Sequence, residues 1–121
     1  MKIIDAHLHL FSNDSPRSEQ MAQAVGHHNS TDHLREVYGQ LGMVHGVVMG
    51  NTSLEPDYHR YPTDLFHYCI GLDSSLLPAG TPLPHMMELV ETHLRRDDCC
   101  GIKLYPGYNK TALTDPMYEP V

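Results

Sequence analysis

Apolar residues fall along the chain in short runs, set apart by polar or Gly/Pro-containing stretches. The runs alternate between two periods. Residues 3–9, Ile-Ile-Asp-Ala-His-Leu-His, read as a strand. Residues 11–30 read as a long polar connection with Asn13, Asp14, Ser15 and Pro16, a short helical turn near residues 21–25, and Gly26 at its close. Thr31-Asp32 then offers a helix cap, and Leu34, Val37, Tyr38 and Leu41 recur on one helical face. Gly42 suits a left-handed helix end. Residues 44–49 are a second strand, rich in β-branched side chains. Gly50, Asn51, Pro56 and Pro62 leave room only for a short helix after it. Residues 66–72 are a third strand. Pro84 fits the first turn of a helix that turns Met86, Leu89, Val90 and Leu94 inward and ends in Arg95-Arg96. Residues 101–105 are a fourth strand, and Asp115-Pro116 reads as a cap and first helical position before Met117 and Tyr118.

Strands joined by helices imply parallel pairing through crossover connections. The strands are near-continuous apolar runs, which suits strands covered on both faces. The expected class is therefore α/β, and four strands with their crossovers make the first half of a (β/α)8 TIM-type barrel. Such barrels take typically ~250 residues and rarely fewer than ~200. Residues 1–121 are thus expected to be one domain, the amino-terminal portion of an incomplete barrel.

Composition narrows the function. Eight Lys and Arg against fifteen Asp and Glu give a net charge of −7, with no basic cluster. Nucleic acid and anionic membrane are therefore excluded as main partners. No run approaches the ~18–20 apolar residues of a membrane span, and no secretory leader is expected. Three Cys, with Cys99 and Cys100 adjacent, do not suit a disulfide framework, so a reducing cytoplasm is the expected location. Ten His are the unusual feature, since imidazole is both metal ligand and proton carrier near neutral pH.

The chemistry concentrates in Asp5-Ala6-His7-Leu8-His9. Strand alternation sends Asp5, His7 and His9 to one face. Two imidazoles at i and i+2 near the carboxyl end of a strand suit one shared cation, and in α/β barrels that end is the active face. The alternative is a pair of ordinary strand histidines. Asp5 either orients a ligand histidine or bonds backbone or Lys103. Lys103, in an otherwise apolar strand, needs a partner. It is the candidate catalytic residue through substrate contact, with an ion pair to Asp5 as the structural alternative. His27-His28 lie in a loop above the same end. His33, His85 and His93 sit on helices, His59 in a loop, and His45 and His67 begin strands at the opposite end. Cys99 and Cys100 precede the fourth strand and read as inert buried thiols. Tyr105 and Tyr108 flank Pro106-Gly107 and are candidates to line a pocket. Phosphate-loop, dinucleotide and nucleophile-elbow motifs are missing.

The stretch "IIDAHLHLF" (residues 3–11) resembles the first strand of the amidohydrolase superfamily, closest to its amidohydrolase-related branch of metal-dependent TIM-barrel hydrolases. "RYPTDLFHYCIGLD" (60–73) is similar to the third-strand entry, "GIKLYPGY" (101–108) to the fourth strand and "DPMYEPV" (115–121) to the helix start after it. The resemblance implies that His7 and His9 ligate a divalent metal, most often zinc. It implies hydrolysis of a small-molecule amide, ester or lactone by a metal-activated water. Non-oxidative decarboxylation on the same scaffold is the sibling outcome. The family's remaining ligands and its acid/base lie on later strands than these. A lysine near the end of the fourth strand is carboxylated in some members and contacts an anionic substrate in others. Two further readings stand beside it. One is a metal-dependent phosphoesterase, for which Ser12 and Asp14 after His9 have a passing likeness. The other is a non-catalytic truncated half-barrel, including one that pairs with itself as a homo-oligomer.

Overall fold

The computed structural model describes residues 1–10, 16–50, 53–72, 83–110 and 112–120. Four parallel strands form one sheet in the order β1 (Ile3–Leu8), β2 (Met43–Met49), β3 (Phe66–Gly71) and β4 (Cys99–Lys103). Each strand pairs with the next in the chain. Helices α1 (Pro16–Ala24) and α2 (Thr31–Leu41) join β1 to β2, and α3 (Leu83–Leu94) joins β3 to β4. Among the described residues between β2 and β3 there is only a 3-10 turn, Pro56–Tyr58, as the prolines require. A short α4 (Pro106–Asn109) and a 3-10 turn (Pro116–Tyr118) follow β4. The α/β class and parallel pairing are therefore as expected.

Local chemistry explains the boundaries. The Ser30 hydroxyl caps α2 by accepting from the His33 amide at 3.2 Å. Gly42 closes α2 at φ 71°, donating its N–H to the carbonyls of Gly39 and Tyr38. The polar connection after β1 holds more helix than expected, since α1 begins at Pro16 and runs to Ala24. β4 starts two residues earlier than expected, so Cys99 and Cys100 belong to the strand and do not precede it. Ser12 and Asp14 lie outside the described residues.

The sheet has two unlike faces. Val48, Phe66, Tyr68 and Ile70 are fully buried and meet Tyr38 from α2 and Met86 and Val90 from α3. Burying each such side chain contributes about 1.5–3 kcal/mol. His93 completes the α3 stripe at no solvent exposure, while Leu94, expected inward, is 48% exposed. The residues between these strand positions face the other way and include His45, His67, Cys69 and Lys103. His45 and His67 meet there, Nε2 to Nδ1 at 2.6 Å, near the amino ends of β2 and β3.

Arg96 fastens the β2–β3 connection to the helix side. Its guanidinium pairs with Asp98 at 2.8 and 2.9 Å and donates to the carbonyls of His59 (2.7 Å) and Pro56 (3.3 Å). It also lies 5.2 Å over the Tyr68 ring.

Candidate functional site

A cavity of about 680 Å³ opens where three of the four strands end. His7 near the end of β1, Met49 at the end of β2 and Lys103 at the end of β4 meet there, joined by Tyr105 and Tyr108 from the segment beyond. Ligand sites of parallel α/β sheets lie at this carboxyl edge. Lys103 Nζ is withdrawn from solvent and sits 4.3 Å from the centroid of the Tyr105 ring. Tyr105 and Tyr108 pack edge to face, 5.6 Å between centroids. The expected pocket role of both tyrosines thus has a geometric basis.

His7 and His9 are adjacent, with ring centroids 5.2 Å apart. His9 Nδ1 lies 3.2 Å from the Met49 carbonyl oxygen. A carbonyl only accepts, so Nδ1 carries the proton and Nε2 keeps its lone pair. Ligand histidines are typically oriented this way by a backbone carbonyl. A tetrahedral ion about 2.0–2.1 Å from two ring nitrogens places the ring centroids roughly 5 Å apart, so the spacing fits shared coordination. Among the described residues, no group of three or more His, Cys, Asp or Glu is arranged to hold a metal ion. A catalytic zinc takes three protein ligands, and the His7–His9 pair by itself offers two imidazoles.

Asp5 departs from the expected arrangement. Asp5 pairs with Gly46 and Leu8 with Val48, so three steps along β1 match two along β2. This bulge breaks the alternation that would place Asp5 beside His7. The Asp5 carboxylate turns to the helix side instead, where Oδ2 accepts from the Tyr38 hydroxyl at 2.9 Å and Oδ1 from the His7 amide at 3.2 Å. Burial, and then the Asp5 charge, push the Tyr38 hydroxyl above its usual range. Asp5 thus steadies the backbone of His7, and Tyr38 and the His7 amide take the place expected for Lys103.

Whereas His7 lines the larger cavity, His9 lines a second one of about 230 Å³ with Asp5, Ser30, Tyr38, His28 and His33. His28 and His33 are 5.2 Å apart. Glu19 binds the Asn29 amide at 2.8 Å and approaches His28 at 3.4 Å, and the amide bond chiefly holds its carboxyl below the usual range. Loop residues His27-His28 gave only a weak sign of this.

Comparison with protein-family models, with curated proteins and with solved structures returned no match. No helix of the described residues is long and apolar enough to cross a membrane.

His59 and His93 are structural. His93 Nε2 donates to the Leu54 carbonyl and Nδ1 accepts from the Tyr68 hydroxyl, both at 2.8 Å. His59 Nε2 donates to Ser53 at 2.5 Å, and its ring stacks on Tyr68. Burial lowers the pKa of both rings. His93 was readable as a continuation of the Met86–Val90 stripe, but its polar type concealed it.

Proposed function

We propose that this chain is the amino-terminal part of a metal-dependent hydrolase barrel of the amidohydrolase-related type, acting on a small-molecule amide, ester or lactone. One observation carries the reading: the Met49 carbonyl orients His9 so that its Nε2 is available beside His7, at the carboxyl edge of a parallel sheet. The strand order supports a barrel. It runs 1-2-3-4 without reversal, and α2 and α3 pack on one face. In a closed barrel the opposite face, with its histidines and Lys103, becomes the interior.

In this reading His7 and His9 hold the metal, most suitably zinc. The chemistry zinc supplies when bound is activation of water and polarisation of a carbonyl. Lys103 receives an anionic group of the substrate, and Tyr105 keeps its ammonium in place through the ring face. Tyr108, 80% exposed, covers the apolar part of the substrate. Asp5 and Tyr38 hold the strand on which His7 is carried.

Zinc titration of the metal-stripped chain tests the reading, followed by calorimetry and by the histidine ring resonances in NMR. The expected result is one zinc per chain, with the His7 and His9 rings shifting together. His7→Ala and His9→Ala each lose that binding, while His85→Ala retains it. Zinc binding that ignores both substitutions refutes the proposal.

A further inference from the structure

On the sheet face away from the helices, two thiols meet next to the carboxyl-edge cavity, since Cys69 pairs with Met49 of its lining. Cys69 lies in β3 and Cys100 in β4, with their Sγ atoms 3.7 Å apart. The register creates the contact. Tyr68 pairs with Cys99 and Cys69 with Gly101, so Cys100 falls between the two pairs as the extra residue of a bulge. Bulges re-aim a side chain, and this one sets Cys100 beside Cys69. Neighbouring strands run about 4.8 Å apart, inside the window of about 4.4–6.8 Å that a disulfide needs between Cα atoms. Bonding asks the two sulfurs to close from 3.7 Å to about 2.05 Å. Cys100 is exposed and Cys69 half-buried. Cys99 is turned elsewhere, with its Sγ 3.7 Å from the Gly101 carbonyl and its side chain against the core. Burial, and then the Cys100 thiol, push Cys69 up to about 12.

We propose that Cys69 and Cys100 form a redox modification site of the open four-stranded sheet, before further strands cover this face, closed to an intramolecular disulfide by a hydroperoxide and reopened by a small thiol. The Cys100 thiolate attacks one peroxide oxygen. The O–O bond breaks, leaving Cys100 sulfenic acid and a hydroxide that takes up a proton. Cys69 sulfur, releasing its proton, then attacks the Cys100 sulfur. The S–S bond forms, the S–O bond breaks and a second water leaves. Two electrons pass from the two thiols to the peroxide. The product staples β4 to β3 three residues before Lys103, the last residue of β4.

The test treats the reduced full chain with hydrogen peroxide, alkylates the remaining thiols and maps the peptides by mass. The free-thiol count is expected to fall from three to one. A peptide pair joining Cys69 to Cys100 is expected, and dithiothreitol should release it. Cys99→Ser keeps the bond. Cys100→Ser loses it, and in Cys69→Ser dimedone labels Cys100. A bond that includes Cys99, a disulfide between two chains, or sulfinic acid at Cys100 with Cys69 still alkylatable overturns the proposal. The wild-type peptide map decides this even if a serine variant fails to fold.

Discussion

Replacing His93 by Leu tests how the core is wired. The ring is fully buried and serves two groups, donating to the Leu54 carbonyl and accepting from the Tyr68 hydroxyl. Leucine is close in volume, so the main loss is polar. Each orphaned group costs about 1–3 kcal/mol, giving roughly 2–5 kcal/mol at pH 8. Tyr68→Phe orphans only Nδ1 and costs about 1–2 kcal/mol. In the double variant the hydroxyl is gone and only the Leu54 carbonyl stays unpaired. The double variant should therefore cost about 2–4 kcal/mol less than the two single costs added together. Urea denaturation followed by circular dichroism at equal m-values measures all three. Additivity within about 0.5 kcal/mol would show that the pair is not coupled and would refute this account.

The same geometry sets a pH dependence. His59 and His93 have pKa values lowered from the ordinary 6.5 by burial, so the unfolded chain takes up their protons first. Their stability contribution is complete above pH 6.5. It declines as pH falls below that, by about 1.4 kcal/mol per unit for each ring, and His93→Leu should flatten the decline measured by urea midpoints from pH 7.5 to 5. Gly50→Ala puts a Cβ 2.8 Å from the Cys69 carbonyl oxygen and 2.9 Å from His59 Cε1; a loss of about 1–3 kcal/mol is expected, and an unchanged denaturation midpoint would contradict the packing. Arg96→Ala releases the His59 and Pro56 carbonyls together with Asp98 and should cost roughly 2–3 kcal/mol. Arg96→Lys should recover little of it, because the ammonium lacks the two-pronged geometry; full recovery in thermal melts would reduce Arg96 to a simple charge.

Hydrophobic period was enough to place four strands and the α2 and α3 stripes, because long-range packing there agrees with local pattern. Tyr38 and Val90 are buried where the helical stripes put them. Two features escaped for the same reason. In residues 3–9 strict alternation is satisfied by the residue types, and only pairing with β2 reveals the extra residue between Asp5 and Leu8. In β4, Cys99-Cys100 look like loop residues until pairing with Tyr68 draws them into the sheet. His7 and His9 were legible as a neighbouring pair from their separation of two along the strand, and their ring centroids lie 5.2 Å apart. The Met49 carbonyl that orients His9 was not, because a backbone atom forty positions away leaves no trace in residue type.

A pleated ribbon has only two orientations to offer its side chains, and the chain uses one additional position in β1 to change from one to the other. Asp5 is thereby addressed to the helical layer and His7 to the carboxyl-edge cavity, although both sit at odd positions of the same segment. Ala6 can therefore change identity without moving either neighbour. Removing it altogether would leave Asp5 and His7 adjacent, and plain alternation alone would then keep them on opposite faces.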